Sequence, residues 1–94
     1  MKIGYKNQTL SLELQLDDGL TGKYPTASIR RSSDGTLLDV VNMSPGGSDG
    51  SYICSYVPVD AGYIYVTYKV YTSNLYNILD QSYTFGNDSV LIYD

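Results

Sequence analysis

Histidine and tryptophan are missing from this 94-residue chain, and cysteine, phenylalanine and glutamate occur once each, as Cys54, Phe85 and Glu13. Without an imidazole there is no histidine base to activate a hydroxyl and no nitrogen ligand for a transition metal. A lone cysteine cannot close an internal disulfide, and Cys54, set among Tyr and Ser, is expected to be a small core residue. No Ser-x-x-Lys spacing occurs, and the Gly-x-Ser-x-Gly run at residues 46–50 has no histidine anywhere in the chain to serve as its base. No nucleophile with an oriented base can be assembled, so the chain is expected not to be an enzyme and to need no cofactor.

Positive charge is also scarce. Six basic residues face ten acidic ones, for a net charge of −4. Nucleic-acid binding needs clustered Lys and Arg to displace counterions. Only Arg30 and Arg31 are adjacent, and neighbours on a strand point to opposite faces, so nucleic acid is not an expected partner. No run approaches the roughly 18 apolar residues of a membrane helix, and Met1 to Lys6 lacks the apolar stretch of a signal peptide. The expectation is a protein made in the cytoplasm that does not enter a membrane.

What is present is alternation. Leu10, Leu12, Leu14 and Leu16 interleave with Ser11, Glu13 and Gln15, the period-2 signature of a strand with one buried face. Further strands are expected over residues 24–30, 36–43, 51–57, 63–72, 76–85 and 89–93, the fifth of these weakly specified. Turn signals separate them: Asp17, Asp18 and Gly19; Ser33, Asp34, Gly35 and Thr36; a Ser/Pro/Gly-rich loop over 42–50; Gly86, Asn87 and Asp88. On the longest strand, Ile64, Val66, Tyr68, Val70 and Thr72 form the more apolar face and should meet the core. About seven short strands in one domain of about 100 residues predict an all-β sandwich or small barrel. Residues 1–9, short and polar, are expected to be an N-terminal arm that orders on a neighbouring subunit, with the domain proper over residues 10–94.

Eleven tyrosines are the unusual feature. Tyr63, Tyr65 and Tyr71 share the outer face of the longest strand, with Lys69 between them. Tyrosine gives rigid contact area with a polar tip, so these four residues are the candidate interface, and sugar stacking would use the same geometry. Most aspartates stand in turns, where the side chain bonds nearby backbone amides. Asp17, Asp18 and Asp60 are the candidates for a calcium ion, although no Asp-x-Asp-x-Asp-Gly loop is present. Sequons at Asn7, Asn42 and Asn87 are read as chance in a Ser/Thr/Asn-rich chain.

Asp49, Gly50, Ser51 and Tyr52, then Pro58-x-x-Ala61-Gly62-Tyr63 and an alternating strand, resemble the Gly-x-Tyr strand, corner and long F strand of immunoglobulin-like and fibronectin-like modules. The turn at residues 33–36 is similar to their B–C hairpin. The antibody corner Asp-x-Gly-x-Tyr is not kept, because Ile64 holds the tyrosine position counted from Asp60, and the paired cysteines and core Trp are absent. The acidic turn after Leu16 and the strand beginning Ala61-Gly62-Tyr63-Ile64-Tyr65-Val66 also resemble small accessory proteins of tailed bacteriophage virions. This resemblance implies an immunoglobulin-like β-sandwich of about seven antiparallel strands. It implies a structural protein of capsid, tail or neck, located in the virion and present in many copies or as a homo-oligomer. The alternative is a carbohydrate-binding or adhesion module using its surface tyrosines.

Overall fold

In the computed structural model, which describes residues 2–16, 23–47, 50–80 and 85–94, every described residue of regular structure is in a strand. The strands are β1 (Lys2–Tyr5), β2 (Leu10–Gln15), β3 (Tyr24–Arg31), β4 (Leu37–Asn42), β5 (Ser44–Pro45), β6 (Ser51–Tyr56), β7 (Gly62–Tyr71) and β8 (Asp88–Tyr93). They form a five-stranded sheet, β1-β8-β7-β3-β4, and a three-stranded sheet, β2-β6-β5.

The alternating sequences become one-sided strands. On β2, Leu10, Leu12 and Leu14 are buried while Ser11, Glu13 and Gln15 are exposed, and Leu16 continues the buried row. On β7, Ile64, Val66, Tyr68 and Val70 face inward. These rows meet Ala27 and Ile29 of β3, Tyr52 and Tyr56 of β6, and Val90 and Ile92 of β8 in one core that draws on both sheets. Fully burying each aliphatic side chain contributes about 1.5–3 kcal/mol, which is why period 2 dictates which face turns inward. Cys54 lies on the same side of β6 as Tyr52 and Tyr56 and is half-buried.

The β3–β4 hairpin forms at the expected turn. Gly35 N–H donates to Arg31 O (2.8 Å), Arg31 N–H to Thr36 O (2.9 Å) and Thr36 N–H to Asp34 Oδ1 (3.0 Å). Gly35 takes φ of 74°, a left-handed conformation that costs glycine little and other residues more.

Four expectations differ from the structure. Residues 2–5, read as part of a free arm, form β1 and pair with β8, Lys2 opposite Val90 through Tyr5 opposite Tyr93. That pairing is parallel, so the sheets are not wholly antiparallel. The reason is burial: Gly4 sits over the core, where an added Cβ would stand 3.0 Å from Ile92 Cδ1 and 3.2 Å from Leu10 Cδ1. Residues 76–80, expected to begin a strand, make only an isolated bridge between Leu79 and Tyr71; residues 81–84 lie outside the described residues. The loop expected over 42–50 contains the two-residue strand β5, paired to β6. The turn at Asp17, Asp18 and Gly19 also falls outside the described residues.

Candidate interaction surface

The outer face of the five-stranded sheet is set by the same register that builds the core. Side chains alternate along β7, so Tyr63, Tyr65, Thr67, Lys69 and Tyr71 point away from the buried row. Tyr63 is 55% exposed, Lys69 is exposed, and Tyr65 and Tyr71 are half-buried. The four candidate residues therefore share a face, but they do not form one cluster. Eight residues of strand separate Tyr63 from Tyr71, about 26 Å.

At the far end, Tyr71 is engaged. Its ring meets Tyr76 edge-on at 5.9 Å, and Tyr76 meets Tyr24 at 6.0 Å. Tyr65 stands opposite Arg30 on β3 and Ser89 on β8. At the near end, Tyr63 has company that a strand-by-strand reading of the sequence does not supply. Leu91 of β8 stands opposite Tyr63, and Ile3 of β1 stands opposite Leu91. Tyr5 and Tyr93 form the next rung, with ring centroids 5.8 Å apart. Ile3 (50%), Tyr93 (45%) and Tyr5 are exposed, so three adjacent strands carry a continuous apolar and aromatic patch. Lys6 and Asp94 stand at its end, with Lys6 Nζ 3.5 Å from Asp94 Oδ1. Ile3, Tyr5, Leu91 and Tyr93 are the site residues that sequence reasoning missed. Their signal was the alternation of Ile3 and Tyr5 with Lys2, Gly4 and Lys6, too short to separate from an arm.

The buried tyrosines behave differently. Burial pushes the Tyr68 hydroxyl up to about 12, helped by the neighbouring carboxylate of Asp88. Tyr56 is raised for the same first reason, with Asp39 and Asp60 adding to it. Burial also raises the Cys54 thiol, and Asp39 adds to it, which keeps the sulfur in its less nucleophilic form at neutral pH. Asp34 is lowered, chiefly by the Thr36 amide donating to its carboxylate and then by Arg31.

Of the calcium candidates, Asp17 and Asp18 lie outside the described residues. Asp60 is exposed and turns toward Arg31, with Oδ2 4.0 Å from Nη2. Among the described residues, no group of three or more Cys, Asp or Glu side chains is placed to hold a metal ion.

No family model, curated protein or solved structure matches this chain.

Proposed function

We propose that the chain is a non-catalytic, immunoglobulin-like structural subunit of a bacteriophage virion, held to capsid or tail by protein–protein contacts. The observation that carries this reading is the exposed patch across β1, β8 and β7, where Ile3, Leu91 and Tyr63 stand in register. Tyrosine and aliphatic side chains at the centre of a patch, with charge confined to its rim, are the composition of a protein-binding surface. The strand order supports the immunoglobulin-like part. With β2, β6 and β5 in the B, E and D positions and β3, β7 and β8 in C, F and G, the two sheets take the expected membership. In that lettering β4 is C′, and the turn at residues 33–36 joins C to C′ rather than B to C.

The test is co-sedimentation with particles. The native chain is expected in the particle fraction. Ile3→Ser combined with Tyr63→Ser, both at exposed positions, is expected to release it without lowering its melting temperature. Retention of that variant on particles, or a native chain that never accompanies them, would remove the reading. The aliphatic neighbours Ile3 and Leu91 favour protein contact over sugar stacking, because a sugar platform is built from aromatic faces and polar groups. Saturable glycan binding lost on Tyr63→Ala would reverse that preference.

A further inference from the structure

The two ends of β7 carry features that fit one another. Beyond its first residues, the β3 end and the β6–β7 corner enclose a cavity of about 480 Å³. Its apolar wall is Leu38, Tyr56, Pro58 and Ile64, and its rim carries Arg31 and Asp60. That volume falls within the range of about 300–1,000 Å³ typical of a real binding site. The charges at the rim are already turned to protein partners, Arg31 to Asp34 at 3.2 Å and Asp60 toward Arg31. The socket thus offers apolar surface without asking its occupant for a charge.

Beyond the last residues of β7, the chain makes a closed loop whose tip is apolar. Leu75 is 74% exposed and Ile78 58% exposed. The loop is held firmly. Thr72 N–H donates to Ile78 O (2.9 Å) and Asp80 N–H to Val70 O (2.8 Å). Lys23 Nζ binds Asp80 Oδ2 at 3.0 Å from the start of β3. Tyr76 packs back against Tyr24 and Tyr71 in a left-handed backbone conformation, φ 54°, which is costly for a tyrosine. Packing Tyr76 inward leaves Leu75 and Ile78 outward. The tip residues Ser73 to Leu79 carry no charge, so entering an apolar socket would desolvate none.

We infer that copies of this chain associate head to tail, the tip bearing Leu75 and Ile78 on one copy entering the socket lined by Leu38, Tyr56, Pro58 and Ile64 on the next. Knob and socket lie at opposite ends of β7 in a molecule 37 Å long, so the contact is heterologous. In this head-to-tail arrangement it propagates into a ring or an open filament rather than closing as a two-fold dimer. The contact uses neither Ile3 nor Leu91, but Tyr63 lines the socket as well as the particle-docking patch, so the knob variant, which leaves Tyr63 untouched, is what separates the two.

The experiment is sedimentation velocity on the whole chain from micromolar to millimolar concentration, repeated with two variants. Leu75→Asp with Ile78→Asp removes the knob at exposed positions, and Ala61→Arg fills the socket from its exposed rim. The native chain is expected to form a concentration-dependent series beyond the dimer. Each variant alone should be monomeric, with association weakened at least about tenfold. Their equimolar mixture should form a dimer that grows no further, since one intact knob meets one intact socket; that dimer also reports that both variants are folded. A native chain that stays monomeric, a series that survives in either variant, or a mixture that remains monomeric while each variant is folded by circular dichroism would overturn the inference.

Discussion

Individual side chains divide sharply in this protein by which sheet face they occupy. Leu12 is 2% exposed and Glu13, its neighbour, points to solvent. Leu12→Ala is expected to cost about 2–4 kcal/mol through lost burial and a residual cavity, and Glu13→Ala less than about 0.5 kcal/mol, in urea denaturation. Tyr68 makes a different prediction. Its folded pKa, about 12, lies above the ordinary value of 10. Between those values the unfolded chain has lost the proton and the native chain has kept it, so the unfolded state binds fewer protons and stability falls as pH rises. The contribution is complete below pH 10 and is lost through about pH 12. Tyr68→Phe should flatten the decline in denaturation midpoint from pH 9 to 11.5, leaving the share owed to Tyr56 and Cys54. A slope unchanged in that variant would show that Tyr68 is not the group responsible.

Among the strands, the edges decide behaviour. β4 is an edge of the five-stranded sheet. Met43 N–H donates to Pro25 O, and counting back two residues at a time puts the amide of Val40 on the open side, away from β3. That amide donates instead to Asp39 Oδ1 at 2.8 Å. A carboxylate lying on an edge amide is a guard against strand addition. Asp39→Val is therefore expected to increase self-association measured by light scattering at unchanged urea midpoint; identical scattering would show that the edge is protected some other way. The opposite edge, β1, depends on one small residue. Gly4→Val should cost about 1–3 kcal/mol by overpacking against Ile92 and Leu10. Hydrogen exchange at Lys6, whose amide donates to Tyr93 O at 2.8 Å, should accelerate as β1 detaches.

At the scale of the molecule, exposed apolar groups gather at the β1–β8–β7 patch, at the socket at the start of β7, which shares Tyr63 with that patch, and at the tip beyond its end, with others such as Val40 on β4 and Ile53 on β6. A small domain that leaves this much apolar surface in solvent gains stability when assembly covers it. Melting temperature should accordingly rise with protein concentration for the native chain and become independent of it in Leu75→Asp with Ile78→Asp. A melting temperature that ignores concentration in both would mean that no such contact forms under those conditions.

The sequence by itself determined the strand type, the inward rows on β2 and β7, the hairpin at residues 33–36 and the common face of Tyr63, Tyr65, Lys69 and Tyr71. Each of these follows from local physics: period-2 burial, or a glycine able to take positive φ. Tertiary structure alone decided that Ile3 and Tyr5 join Leu91, Tyr93 and Tyr63 in one surface, that residues 76–80 leave the sheet, and that a socket opens beside the β6–β7 corner. The parallel pairing of Lys2–Tyr5 with a strand at the other end of the chain is a contact between distant segments, selected by the core beneath Gly4 and marked locally only by an alternation too short to set a strand apart from an arm.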